Sequence, residues 1–421
     1  MAVESSLFRR TEGAPAWRRL IAVAFALGVT LGGGWSGIVY AANHSVQGAA
    51  KEEGGFDGDA PTAILIEATS GSVLFEKNAD ELRAPSSMMK LMTAEVVLHA
   101  IKQGDVKLTD EYHISENAWR KGGAPSGTST MFAALNSKVP VDDLLHGAII
   151  QSGNDACIAL AEGMAGNERS FATDMMTKRA RELGLTKSTF GNSNGLPDPA
   201  NKMTVRELAQ LARYIILTYP DSYKLFGEKE FTWNKIRQPN RNPLLSSLEG
   251  ADGLKTGYTK EGGYGMVGSA VQNGIRLIVV VNGLEDAEDR ATEAKKMLEW
   301  GFRNFEERPL FAAQQPVGYA KVFGGDSRSV KLTSPEPIKV MVQKNGNDKL
   351  IARIVYNGPV KAPIETGQQI GVVRVWRGAN VAMEAPLYAA ESIGRGSTIG
   401  RALDGASELV IGMFRAGAEK L

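Results

Sequence analysis

In RAPSSMMKLMT, residues 83–93, Ser87 precedes Lys90 by three positions at the start of a run with helical spacing. Residues three apart on a helix share a face, so the hydroxyl and the amine can meet within hydrogen-bonding reach. A serine hydroxyl is a weak nucleophile until a base takes its proton. A lysine can be that base only when neutral, a state that burial or a neighbouring cation brings about. The pair alone is a short pattern and describes a solvated surface lysine equally well. Ser86, four residues before Lys90, is a rival hydroxyl.

A second pattern lies far along the chain, in DGLKTGYT at 252–259. Lys255 and Thr256 on an exposed strand edge can hold a carboxylate. Gly257 lets a substrate backbone come close, and the strand edge itself can pair with an extended peptide. The plain alternative is an edge strand guarded by a lysine. A cleft built on these two elements needs a hydroxyl and an amide on its other wall. Two Ser-x-Asn stretches offer them, Ser115-Glu116-Asn117 and Ser152-Gly153-Asn154. The first reads as a helix cap. The second joins the apolar run LLHGAII to DACIALAEGM, a connection between packed helices, and suits a cleft better.

The elements that must position these residues follow from the periodicity. PTAILIEATSGSVLFEKNAD reads as a hairpin, and GLKTGYT, GYGMVGSAVQ and GIRLIVVVNGL as three consecutive strands with glycine-containing turns. Helical spacing runs from Ser86 to the stop at Gly104, and recurs in VDDLLHGAII, SFATDMMTKRARELGL, TVRELAQLARYIILTY and AEDRATEAKKMLEWGFRNF. Hairpin and strands, about 200 residues apart, can close one antiparallel sheet. The expected fold class is therefore α+β: an antiparallel sheet with helices on both faces and an inserted helical subdomain, over residues 60–308. After Arg308-Pro309 the pattern alternates in VGYAKVF, VKLTS, IKVMVQ, LIARIVYN and GVVRVW, which reads as a small all-β sandwich over 311–392.

The two ends read differently. Arginines 9, 10, 18 and 19 precede an apolar run that ends in VYAA, so residues 1–42 read as a signal peptide, with an uncleaved anchor as the alternative. Residues 43–59 are a polar, glycine-rich linker. Residues 396–421 place Leu403, Ala406, Leu409, Val410, Met413 and Phe414 on one helical stripe, either docked on the body or lying on a membrane surface. Lys plus Arg total 48 against 47 for Asp plus Glu, which leaves no electrostatic footprint for nucleic acid. One cysteine, Cys157, excludes an internal disulfide and any multi-cysteine metal site, and reads as a buried small hydrophobe. Four scattered histidines form no metal cluster.

Ser-x-x-Lys, Ser-x-Asn and Lys-Thr-Gly, in that order, are the signature of the penicillin-recognising serine enzymes. Over residues 60–395 the chain closely resembles their low-molecular-mass D-alanyl-D-alanine carboxypeptidases, a resemblance also carried by FTWNKIRQPNRNPLL and GIRLIVVVNGL. It implies that Ser87 is acylated, Lys90 is its base, and Ser152 relays a proton to the leaving group. Asn154 would hold the substrate's peptide and Lys255 with Thr256 its carboxylate, Gly257 would admit its backbone, and Arg276 would assist at the carboxylate. The backbone N–H groups of Ser87 and Tyr258 would form the oxyanion hole. It further implies peptidoglycan stem peptides as substrate, β-lactams as covalent inhibitors, no cofactor, and a place in the periplasm or on the outer face of the inner membrane. Two departures from the family pattern are Ser86, where alanine is usual, and Tyr258, where histidine is common. The rivals are a β-lactamase of the same fold, for which the chain lacks an E-x-x-L-N loop, and a catalytically silent peptidoglycan-binding protein.

Overall fold

The computed structural model describes residues 55–344, 346, 349–377 and 380–397, with the two-residue strand Ser5–Ser6. The expected signal peptide and C-terminal amphipathic helix otherwise lie outside the described residues. The described residues gather into two units, one of Gly54–Glu307 with Met341–Gly346, the other drawn from Met1–Glu53, Arg308–Val340 and Asn347–Leu421.

The first unit is built on a five-stranded antiparallel sheet. Its strands are β1 (Thr62–Glu67), β2 (Val73–Lys77), β3 (Ala251–Thr259), β4 (Gly263–Gln272) and β5 (Ile275–Leu284), in the order β2-β1-β5-β4-β3. The hairpin and the distant strands meet where β1 pairs β5, with Ile66 opposite Ile278 and Ile64 opposite Val280. Alternation along these strands feeds two cores. Ile64, Ile66, Ile278 and Val280 face one, while Ala63, Leu65, Leu277, Val279 and Val281 face the other. Strands buried on both faces need helices on both.

On the first face lie α1 (Lys90–Gln103), α2 (Glu116–Gly122), α3 (Val141–Ile149), α4 (Asn154–Ala165) and α5 (Val205–Thr218). On the other, α6 (Ala287–Asn304) packs Ala294, Met297 and Leu298 against the sheet. Helix α1 is buried almost all round, the mark of a central helix, and ends at Gly104 with φ 85° in the left-handed region that favours glycine. Ser115 caps α2 by accepting from the Ala118 N–H at 3.0 Å, as its sequence context indicated. In the second unit, Leu350–Tyr356, Gln369–Arg377, Asn380–Ala389, Ser329–Thr333 and Gly318–Phe323 are neighbours in that order in an antiparallel sheet.

Candidate active site

Ser87 stands on a 3-10 turn, Ser86–Met89, that runs directly into α1. Lys90, the first residue of α1, is one turn further on and only 1% exposed. Its Nζ lies 3.0 Å from Ser87 Oγ, 2.7 Å from Asn154 Oδ1, and in a short contact with the Asn194 carbonyl oxygen. The chemistry of these three neighbours sets the direction of each bond. The amide oxygen and the carbonyl can only accept, whereas the serine hydroxyl can also donate. A neutral amine has two N–H groups and one lone pair. With both N–H groups given to Asn154 and Asn194, the lone pair is left to take the proton of Ser87.

The rival hydroxyl is engaged elsewhere. Ser86 is buried, with φ 50°, and its Oγ lies 2.8 Å from Thr259 Oγ1 on β3. The turn that holds both serines is gripped by two glycines. A Cβ on Gly257 would come within 3.1 Å of the Ser87 nitrogen and 3.0 Å of the Met88 nitrogen. A Cβ on Gly195 would meet the Ser86 carbonyl oxygen at 2.0 Å, and Gly195 also has φ 80°. Glycine in Lys-Thr-Gly thus lets the edge strand lie flat against the nucleophile's own backbone. Gly257→Ala is expected to slow acylation by a labelled penicillin about 100-fold, since a displacement near 1 Å costs that much. A near-wild-type acylation rate would show that the close approach is idle.

Asn154 opens α4, and its Nδ2 donates to Thr128 Oγ1 at 2.9 Å, which fixes Oδ1 toward Lys90. The next residue, Asp155, is fully buried and accepts from Thr130 Oγ1 and from the backbone N–H groups of Met131, Ala133 and Ala156. It pins loop and helix together beneath Asn154. Ser152, buried at φ 64° on the connection from α3 to α4, has no hydrogen-bond partner for its hydroxyl among the described residues. That hydroxyl is free to rotate toward an incoming group. Glu168 accepts from the N–H and Oγ of Ser193 and from Asn194 Nδ2 at 2.9 Å, so it holds the loop whose carbonyl touches Lys90.

Lys255 is 2% exposed, and its Nζ donates to the Thr256 carbonyl at 3.2 Å. Thr256 is also buried, while Tyr258, two residues on, is 52% exposed. Burial depresses the Lys90 ammonium to about 8; the Arg241 guanidinium pushes the same way, and Asp155 and Glu168 oppose it. Burial likewise takes Lys255 well below the ordinary lysine value, helped by the positive charges of Lys90, Arg241 and Arg290. Cys157 on α4 is buried, with its thiol pushed up to about 11 by burial, which leaves it protonated and inert. Among the described residues, no group of His, Cys, Asp and Glu could hold a metal ion.

Arg276 is not brought to this cluster. It pairs opposite Val271, four residues along β4 from Val267, the partner of Lys255. That offset is roughly 13 Å of strand. Its guanidinium donates to Asp252 and Ser269, each at 2.8 Å, and lies over the Tyr223 ring. Two arginines bear on Lys255, Arg241 and Arg290, and the second stands in the first turn of α6. Its Nε is buried with no hydrogen-bond partner, and among the described residues no carboxylate pairs with it. Its guanidinium packs 5.6 Å from the centre of the Tyr264 ring, which itself stacks on Tyr258 at 4.1 Å. An unpaired, half-buried cation beside Lys255 is the better ligand for a carboxylate. We expect Arg290→Ala to raise KM for an anionic peptide about 10- to 100-fold, the loss of one hydrogen bond to a charged group. Arg276→Ala is expected to leave KM near wild type and lower Tm, because Asp252 loses its partner; the opposite pattern would return the role to Arg276.

Residues 47–286 match the family described as D-alanyl-D-alanine carboxypeptidase, and residues 305–395 match the penicillin-binding protein 5 C-terminal domain. The chain is 41% identical to the D-alanyl-D-alanine carboxypeptidase DacC of Escherichia coli K12, over 82% of this chain and 87% of that protein. It is 38% identical to DacA of Haemophilus influenzae, over 84% and 90% of the two. The crystal structure of penicillin binding protein 5 from Haemophilus influenzae superposes with a TM-score of 0.71 at 37% identity, covering 81% of this chain and 99% of that one. Penicillin-binding protein D2 of Listeria monocytogenes, solved in a cefotaxime-bound form, gives 0.54 at 28% identity, over 59% of this chain and 99% of that one. The chain belongs to the D-alanyl-D-alanine carboxypeptidase family, serine hydrolases with a penicillin-binding protein fold.

Proposed function

We propose that Ser87 attacks the carbonyl of the penultimate D-alanine of a peptidoglycan stem peptide and releases the terminal D-alanine. The observation that carries this reading is the Lys90 amine, buried and set 3.0 Å from Ser87 Oγ with two pure acceptors on its other sides. Lys90 takes the hydroxyl proton as the Oγ–carbonyl bond forms. Ser152 passes a proton to the departing amine, and water then hydrolyses the ester with Lys90 again as base. The N–H groups of Ser87 and Tyr258 receive the oxyanion, each worth about 3 kcal/mol of barrier. Asn154 orients the peptide bond, Lys255 and Thr256 with Arg290 hold the terminal carboxylate, and Gly257 admits the substrate backbone.

The remaining assignments follow from the same reading. Residues 1–42 direct export and are cleaved, 43–59 link, 60–308 form the catalytic domain, and 311–392 the β-sandwich. The mature enzyme then works outside the cytoplasm, in the periplasm or on the membrane's outer face, with residues 396–421 resting on the lipid surface. No helix among the described residues is long and apolar enough to cross a membrane. β-Lactams acylate Ser87, a reading supported by the cefotaxime-bound relative. The deciding experiment measures D-alanine released from a pentapeptide stem and locates the mass gain after penicillin treatment. Release together with an adduct on the Ser87 peptide supports the proposal; an adduct elsewhere, or none with no release, overturns it.

A further inference from the structure

Arg290 has its Nε buried without a hydrogen-bond partner, and among the described residues no carboxylate pairs with it. A guanidinium so placed is costly unless something else meets its charge. What meets it is the Tyr264 ring, 5.6 Å from the guanidinium carbon to the ring centre. The negative face of an aromatic ring attracts a cation without occupying its N–H groups. Arg276 shows the alternative, with its N–H groups spent on Asp252 and Ser269. The Tyr264 ring is itself clamped. Tyr264 on β4 stands opposite Tyr258 on β3, and the two rings stack at 4.1 Å with 27° between their planes. Tyr264 is half-buried against the core beneath α6, while Tyr258 is exposed. Alternation along β3 puts Thr256 on the same side of the sheet as Tyr258, opposite Met266 of that same core. The stack thus holds Arg290 on the side of the edge strand that carries Thr256, and Lys255, one residue away, feels its charge.

We infer that Tyr264 is the positioning residue of the carboxylate subsite, holding Arg290 by its ring face, and that Tyr258 locks that ring from the opposite face. The inference rests on the carboxypeptidase reading and on Arg290 as a carboxylate ligand, and it names what keeps that ligand both ordered and available. An acidic partner would hold the guanidinium as firmly, yet it would repel the substrate carboxylate and compete for the same N–H groups. A ring does neither. The attraction belongs to the ring face and not to the phenolic hydroxyl. Position 258 then serves twice: its N–H receives the oxyanion in the proposed reaction, and its ring steadies the grip on the carboxylate.

The test reads steady-state kinetics of the full-length protein on a peptide ending in D-Ala-D-Ala and on the same peptide with its C-terminus amidated. Tyr264→Leu is expected to raise KM on the anionic peptide about tenfold, with kcat within about twofold, and to leave kcat/KM on the amide unchanged. Tyr264→Phe keeps the ring and is expected to keep the wild-type KM. Tyr258→Ala, at an exposed position, is expected to raise the same KM about threefold, and it reads the stack even where Tyr264→Leu fails to fold. In an Arg290→Ala background Tyr264→Leu is expected to add nothing to KM. A merely structural tyrosine would lower Tm and kcat for both peptides alike, with or without Arg290. An unchanged KM in Tyr264→Leu, an equal loss on the amide, or an undiminished rise in the Arg290→Ala background overturns the inference. Failure of its premises gives different signals, and either takes the inference with it: an unchanged KM in Arg290→Ala removes that arginine from the carboxylate, and no D-alanine released by the unsubstituted enzyme removes the carboxypeptidase reading.

Discussion

Ser87→Ala is expected to abolish both D-alanine release and covalent labelling by penicillin, with a loss of roughly 10⁴-fold or more. Ser86→Ala is expected to keep labelling intact. The two serines are adjacent in sequence, yet the fold gives them opposite tasks. Ser86 Oγ lies 2.8 Å from Thr259 Oγ1, a contact between the turn and strand β3, whereas Ser87 Oγ lies 3.0 Å from the Lys90 amine. Loss of the Ser86 hydroxyl removes one neutral hydrogen bond and costs about 1 kcal/mol of stability. Intact-mass measurement after penicillin exposure, followed by peptide mapping, reads both variants at once. An adduct that persists in Ser87→Ala, or one that vanishes only in Ser86→Ala, would exchange the assignments. Retained Tm in Ser87→Ala separates loss of the nucleophile from loss of the fold.

Much of this arrangement is legible in the residue types, because three separate patterns each require a different local structure. Ser-x-x-Lys needs a helical turn, Lys-Thr-Gly an edge strand and Ser-x-Asn a connection between helices, and periodicity supplies all three in the right places. The sheet follows for the same reason: strands buried on both faces are continuous apolar runs, and β1 and β5 are the most apolar of them. The alternating runs after Arg308 likewise announce the C-terminal β domain. One of its strands, Asn380–Ala389, escapes the pattern because Glu384 and Pro386 interrupt the alternation.

Contributions that depend on tertiary contact are invisible at the level of residue type. The Asn194 carbonyl that touches Lys90 belongs to the backbone, which no side-chain motif can mark. Glu168 and Asp155 are ordinary acids in sequence and become supports only through the amides they collect from distant segments. The sequence reading offers Arg276 for the carboxylate and gives no sign of Arg290. Only the register of β5 and the approach of α6 show that Asp252 already neutralises one and nothing acidic pairs with the other among the described residues. The stack of Tyr258 on Tyr264 beneath Arg290 is of the same kind, since two residues six apart become neighbours only through the hairpin that pairs them.

The acylation rate is expected to rise tenfold per pH unit up to about pH 8 and then level off, because the reactive form of Lys90 is the neutral amine and burial places its titration there. The sign is fixed by chemistry: protonation fills the lone pair that must receive the Ser87 proton, so acid inactivates. Lys255 is depressed in the same direction by burial and by the Lys90, Arg241 and Arg290 charges, and a substrate carboxylate beside it favours its charged form. Lys90→Ala, by the same reasoning, should lower acylation by about 10²- to 10⁴-fold and erase the transition near pH 8. A flat profile from pH 6 to 9 in the wild-type enzyme would mean that Lys90 is not the group whose deprotonation activates Ser87.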